Sequence, residues 1–174
     1  MLEARGCVMN RNKVELLKNI KLVATDCDGV LTDGGLYYSA TGEEYKRFQV
    51  LDGVGFIRLR ENGIKTAIIS GENTEILDHR ARRLKADYLY KGTLDKLTAL
   101  RDICDKEAIS IEETVYIGDD WFDVDAIEAA GFGCAPKSAM KQVRVHADYV
   151  TKAGGGHGCF REVAELILKM KGMK

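Results

Sequence analysis

The string DCDGVLTD, residues 26–33, sets two carboxylates, Asp26 and Asp28, one residue apart directly after the apolar run KLVAT. At the C-terminal end of a strand, residues two apart project to the same side, so their charges repel unless a cation lies between them. Gly29 lets the chain turn sharply behind the pair. A second acidic string, GDDWFD at residues 118–123, follows the apolar run TVYI and adds Asp119 and Asp120. Brought together, the two strings make a hard oxygen site. Such a site suits magnesium, which takes few protein carboxylates and leaves room for a substrate phosphate. No EF-hand loop speaks for calcium.

So much negative charge needs fixed cations and donors before it can hold a phosphate. Ser70 ends the apolar run AIIS and is followed by Gly71, so its hydroxyl and the nearby backbone N–H groups can face a phosphoryl oxygen. Lys96 opens a helical stretch after GTLD and can neutralise a phosphoryl group or an aspartate. Taken singly, these are a strand-end serine and a surface lysine; the combination with two acidic strings is what points to chemistry.

The elements that must position these residues follow from periodicity. From residue 21 on, apolar strand-like runs alternate with amphipathic stretches, the pattern of a doubly wound α/β fold with a parallel sheet. Strands are predicted at 21–25, 65–70, 86–90, 114–118 and 147–150, and helices at 53–62, 74–84, 96–108 and 123–130. Right-handed crossovers gather the strand C-termini on one edge, where ligands of such folds bind. Residues 34–50 break the alternation and read as a β-hairpin flap around Gly42. Its Leu36, Tyr37, Tyr38, Tyr45 and Phe48 must be covered either by their own domain or by another subunit. No separate cap domain is present: residues 21–174 read as one domain, after an N-terminal extension over residues 1–20 expected to be helical.

Bulk composition limits the functional classes. The 174 residues carry 26 Lys and Arg against 27 Asp and Glu, a formal net charge of −1, with no basic block for nucleic acid or an anionic membrane. A chain of this length buries roughly 70% of its unfolded surface without needing disulfides. The N-terminal stretch mixes charge throughout and resembles neither a signal peptide nor a membrane span, which points to the cytoplasm. The cysteines at 7, 27, 104, 134 and 159 form no C-x-x-C pair and are expected to be packing residues, Cys27 pointing into the core between its two outward aspartates.

In order, DCDGVLTD, IISG, a lysine and GDDWFD resemble the four motifs of the haloacid dehalogenase superfamily, over a span from residue 21 to about residue 168. The resemblance implies that Asp26 attacks phosphorus to form an aspartyl-phosphate, while Asp28 protonates the leaving alcohol and then activates water. It implies magnesium held by the Asp26 carboxylate, the backbone carbonyl of Asp28 and the Asp119 carboxylate. Ser70 and Lys96 would stabilise charge on the transferring group, and Asp120 and Asp123 would orient Lys96 and the metal waters. Capless members borrow a neighbouring subunit as a lid, which implies a homotetramer.

Within that superfamily, TDGGLYYSATGEEYKRFQVLDG and ADYVTKAGGGHGCFRE are similar to the phosphatases of 2-keto-3-deoxy sugar acid phosphates. These serve lipopolysaccharide or sialic-acid-type synthesis and act on octulosonate 8-phosphate or on a nonulosonate 9-phosphate, such as that of KDN or an N-acylneuraminate. The likeness implies that Lys46 lies near the phosphate and Asp52 near the sugar, and that the glycine-rich segment with His157 reaches a neighbouring active site. Octulosonate enzymes usually continue the second motif with Gly-Arg, whereas this chain has Gly71 and Glu72. Glutamate repels a carboxylate and prefers hydroxyls, a lean toward the nine-carbon acid, with Arg83 placed to balance Glu72.

Two other readings use the same residues. A phosphorylation-switch receiver also combines acidic pairs, a hydroxyl and a lysine, but places its lysine last, whereas Lys96 precedes the GDD string. A silent oligomerisation domain of sugar-nucleotide metabolism shares the fold, yet has no need to keep Asp26, Asp28, Lys96 and Asp119 together.

Overall fold

The computed structural model describes residues 11–173. Cys7 and the first half of the N-terminal extension lie outside the described residues. The chain enters with α1 (Arg11–Leu16) and a 3-10 turn at Leu17–Asn19, whose Leu17 is buried in the core.

The sheet strands are β1 (Leu22–Thr25), β4 (Lys65–Ile69), β5 (Tyr88–Tyr90), β6 (Thr114–Ile117), β7 (Phe132–Ala135) and β8 (Tyr149–Val150); β2 (Tyr37–Ser39) and β3 (Gly42–Tyr45) form the separate hairpin. Between them run α2 (Val50–Glu61), α3 (Glu75–Leu84), α4 (Lys96–Glu107), α5 (Val124–Ala129) and α6 (Lys141–Arg144), and α7 (Cys159–Met170) closes the chain. Every pairing in the six-stranded sheet is parallel, in the order β5-β4-β1-β6-β7-β8. This is the doubly wound α/β class that the alternation predicts. β7 and α7 were not among the expected elements.

The β1 strand is buried on both faces. Its Val23 packs into one apolar cluster with Phe56, Leu77 and Phe160, while Leu22 and Ala24 pack into the other with Leu100, Ile103 and Ile127. On the first face α2 meets α7 through stacked rings, Phe56 and Phe160, with centroids 4.1 Å apart. Such a pair contributes about 0.5–1.5 kcal/mol beyond its buried area. The contact requires Gly55, since a Cβ there would lie 3.0 Å from the Phe160 ring.

Helix ends are set locally. The Asp95 side chain accepts from the Thr98 N–H at 3.0 Å and fixes the start of α4, which ends at Ala108 in the left-handed region, φ 53°. Lys96 is thereby the first residue of a firmly begun helix.

Because β1 lies between β4 and β6, the chain winds to one side through β4 and β5 and to the other through β6, β7 and β8. The reversal opens a crevice beyond the C-terminal end of β1, the binding position of such sheets. The hairpin hangs beside it. Tyr37, Tyr38 and Tyr45 are 47%, 67% and 67% exposed, so folding back onto the domain holds only for Phe48, which packs against the core beneath the Arg80 guanidinium. The described cysteines, Cys27, Cys104, Cys134 and Cys159, are free and buried.

Candidate active site

Asp26 follows β1, and its N–H donates to the Ile117 carbonyl at 2.9 Å, extending the β1–β6 ladder by one residue. Beyond it the chain folds into a tight turn in which the N–H groups of Val30, Leu31 and Thr32 all donate to the Cys27 carbonyl. Cys27 points into the core and Asp26 and Asp28 away from it. Gly29 adopts φ +85°, and a Cβ on it would strike Asp119 Oδ2 at 2.0 Å, so only glycine lets the first and fourth motifs approach this closely.

Lys96, buried at the start of α4, donates to Asp26 Oδ1 at 2.7 Å and to the Ile69 carbonyl at 2.8 Å. One ammonium thus joins the end of β4 to the carboxylate after β1. From the flap, the wholly buried Lys46 side chain donates to Asp28 Oδ1 at 2.7 Å. Ser70 is buried after β4, where its Oγ accepts from the Glu72 N–H at 3.1 Å. All of these, with Gly71, Glu72, Asp119, Asp120 and Asp123, line a cleft of about 330 Å³ rimmed by Leu36, Leu94 and Phe122.

The carboxylates are crowded. Ligand atoms of Asp26, Asp119 and Asp123 all lie within 4.8 Å of one another. Burial, the Asp123 charge and, in opposition, the Lys96 ammonium leave the Asp26 carboxyl raised to about 7. Burial, followed by the charges of Asp26, Asp123, Asp120 and Asp28, pushes Asp119 up to about 8. Asp119 Oδ1 and Asp28 Oδ2 are buried without a hydrogen-bond partner. Orphaned carboxylate oxygens beside mutually repelling acids are what a divalent cation satisfies, and the all-oxygen donor set fits magnesium.

Asp123 takes a different part from Asp26 and Asp119. Its Oδ1 accepts from the Tyr116 hydroxyl at 2.7 Å, and its Oδ2 from the N–H groups of Asp119 and Asp120 at 3.0 and 3.1 Å. Asp120 Oδ1 accepts from the Trp121 N–H and caps the short turn there. Neither residue hydrogen-bonds Lys96, which donates to Asp26 and the Ile69 carbonyl; Asp123 acts on Lys96 through its charge.

Two further expectations, those for Asp52 and Arg83, are corrected. Asp52 does not face the cleft: it is buried at the start of α2, where Oδ1 accepts from the Arg161 N–H in the first turn of α7. The glycine-rich segment, expected to reach a neighbouring active site, forms a turn packed against the first acidic string of its own chain. Gly156 N–H donates to the Val30 carbonyl at 2.9 Å, and a Cβ on Gly155 would lie 1.8 Å from the Gly29 oxygen. Its glycines serve this close backbone contact, and His157 points out, exposed, away from the cleft lining. Arg83 is exposed on α3 and lines a separate groove with Tyr45, Phe48 and Arg80, forming no ion pair with Glu72.

Sequence reasoning also missed contributors. Thr32 Oγ1 accepts from Gly29 and Gly34 N–H at 3.2 Å each and knits the turn that follows Asp26. Arg47 reaches from the flap to the Gly156 carbonyl at 2.8 Å. Thr32 stands within the first acidic string, and Arg47 beside Lys46, but their partners are visible only in three dimensions.

Comparison with known proteins gives a consistent result. The family model for haloacid dehalogenase-like hydrolases matches residues 86–161. The 3-deoxy-D-manno-octulosonate 8-phosphate phosphatase of Haemophilus influenzae is 42% identical over 156 residues, 90% of this chain and 87% of that protein. The Escherichia coli K12 phosphatase of the same name is 39% identical over 155 residues, 89% of this chain and 82% of that one. The crystal structure of the Moraxella catarrhalis phosphatase in complex with magnesium, phosphate and KDO matches with a TM-score of 0.90 at 41% identity, over 94% of each chain. The cobalt-bound Haemophilus influenzae structure matches at 0.87 and 41% identity, over 90% of this chain and 92% of that one.

Proposed function

Since the chain belongs to the haloacid dehalogenase-like hydrolases and is a phosphatase, we propose that it hydrolyses the phosphate ester of a 2-keto-3-deoxy sugar acid, with magnesium as its cofactor. The reading rests on one observation above others: a buried lysine, Lys96, held against Asp26 within a cluster of acids that has orphaned oxygens. Octulosonate 8-phosphate is the first substrate to test, in keeping with the named relatives.

The Asp26 carboxylate attacks phosphorus in line, and an aspartyl-phosphate forms as the ester oxygen leaves. Asp28 gives that oxygen a proton and then takes one from the water that hydrolyses the acyl phosphate. Lys96, with the Ser70 hydroxyl and the backbone amides that follow it, stabilises charge on the phosphoryl oxygens. Asp26, Asp119 and the Asp28 carbonyl would hold magnesium, whose charge relieves the carboxylates' repulsion and polarises the phosphoryl group. Lys46 keeps the flap against Asp28 and supplies a further cation at the phosphate.

A nonulosonate 9-phosphate is favoured by a specific observation: Glu72 lines the cleft without an ion pair among the described residues. An uncompensated glutamate accepts hydrogen bonds from sugar hydroxyls and disfavours a nearby substrate carboxylate. The exposed tyrosines of the hairpin and the apolar rim of the cleft support assembly into a homotetramer in which a neighbour closes the site. Among the described residues no helix is long and apolar enough to cross a membrane, and the buried free thiols suit a cytoplasmic enzyme.

Phosphate release measured with magnesium and then with EDTA, on octulosonate 8-phosphate, nonulosonate 9-phosphates and hexose phosphates, tests the reading. A metal-dependent preference in kcat/KM of about a hundredfold for one keto acid is the expected result. Equal turnover of all the esters would sink it.

A further inference from the structure

The Tyr116 ring is fully buried in β6, one strand residue away from the turn that presents Asp119. Tyrosine in the middle of a parallel strand is a costly choice unless its hydroxyl is satisfied. Here the hydroxyl donates to Asp123 Oδ1 at 2.7 Å, and the other Asp123 oxygen receives the N–H groups of Asp119 and Asp120. Asp123 also lies against the strand end so closely that a Cβ on Gly118 would meet its Cβ at 2.3 Å. With both oxygens engaged, this carboxylate is held back although its ligand atoms lie within 4.8 Å of those of Asp26 and Asp119.

Resting on the magnesium reading given above, we propose that Tyr116 is a positioning residue for the metal site: its hydroxyl fixes Asp123, and Asp123 fixes the backbone turn that aims Asp119 at the cation. Tyr116 acts through two intermediaries and touches neither substrate nor metal. Burial, then the Asp123 charge, raises its hydroxyl well above the ordinary tyrosine range, so it stays a donor at any working pH. Without that donor, Oδ1 of Asp123 is left a buried charge with a missing partner, and the Asp119 turn loses its anchor.

Trp121, the single tryptophan, is exposed beside this turn and its backbone N–H donates to Asp120 Oδ1, so its fluorescence is the probe chosen for metal binding without any substrate. The test is a magnesium titration of wild type and Tyr116→Phe, read by Trp121 fluorescence and by phosphate release. The expected result is a half-saturating magnesium concentration raised about tenfold in both readouts, with KM for the phosphate ester changed less than about twofold. An unchanged half-saturation overturns the proposal. So does tighter binding, which would mean that the freed Asp123 is a ligand, and so does a parallel loss of metal and substrate affinity. If Tyr116→Phe does not fold, hydrogen exchange in metal-free wild type decides. Protected Asp119 and Asp120 amides support the proposal, and amides exchanging as fast as those of the neighbouring loop overturn it. A wrong sugar acid would leave the fluorescence result standing.

Discussion

Lys46 Nζ lies 2.7 Å from Asp28 Oδ1, so the flap touches the proposed acid–base carboxylate directly, across 18 residues of chain. The contact joins the exposed hairpin to the first acidic string. Truncating one member of such a pair leaves the other charge poorly compensated, at a cost of about 2–5 kcal/mol when desolvated and less when partly wet. Since the Asp28 side chain is 28% exposed, Lys46→Met is expected to lower kcat/KM by about ten- to a hundredfold, measured by steady-state phosphate release. A variant with wild-type kcat/KM would remove Lys46 from the site.

Asp26→Asn keeps the shape of the proposed nucleophile and removes its charge. Turnover is expected to fall by about 10⁴-fold or more, with the far-UV circular dichroism and the assembly unchanged. If the variant released phosphate at the normal rate, Asp26 would not be the nucleophile.

The raised carboxyls of Asp26 and Asp119 make stability depend on pH and metal. An acid whose pKa is higher folded than unfolded contributes stability below its unfolded value, about 4, and loses it as pH rises through the folded value. Those folded values are about 7 and about 8. In EDTA the melting temperature should therefore fall from about pH 4 to about pH 8 and level off above, and the rise in Tm produced by magnesium should be larger at pH 8 than at pH 5. A magnesium-induced shift of equal size at both pH values would contradict this.

Gly155 carries the contact between the glycine turn and the loop that follows Asp26. Because a Cβ there would stand 1.8 Å from the Gly29 oxygen, a backbone atom that cannot rotate away, Gly155→Ala must displace one loop or the other. A loss of about 2 kcal/mol or more in chemical denaturation is expected, together with reduced phosphatase activity. Gly42→Ala, at the hairpin tip where nothing lies within 4 Å, is the control for local backbone strain, since φ is +128° there.

The chemistry was legible in the sequence where a short string held both the reactive residue and the reason for its geometry. DCDG carries two acids and the glycine for the turn, and GDD follows an apolar strand in the same way. Lys96 was readable only in combination with the two acidic strings, since a lysine at a helix start is by itself a surface residue. What stayed hidden depends on partners distant in sequence. Asp52 looked like a sugar contact beside the flap, yet its hydrogen-bond partner, Arg161, is 109 residues away. The close packing of the glycine-rich segment was hidden for the same reason, since its backbone partners, Val30 and Gly29, stand more than a hundred residues earlier. The strand FGCA is too short and too poor in branched residues to announce itself, and becomes a strand because β6 and β8 flank it.

The buried thiols set the terms on which this protein meets an oxidant. Burial raises Cys27 and Cys134 well above the ordinary thiol range and Cys104 to about 11, so hardly any thiolate exists in the folded state. Thiolate is the reactive form. Alkylating reagents and peroxide should therefore reach these sulfurs only through opening of the core, and the rate of their modification becomes a clock for that opening.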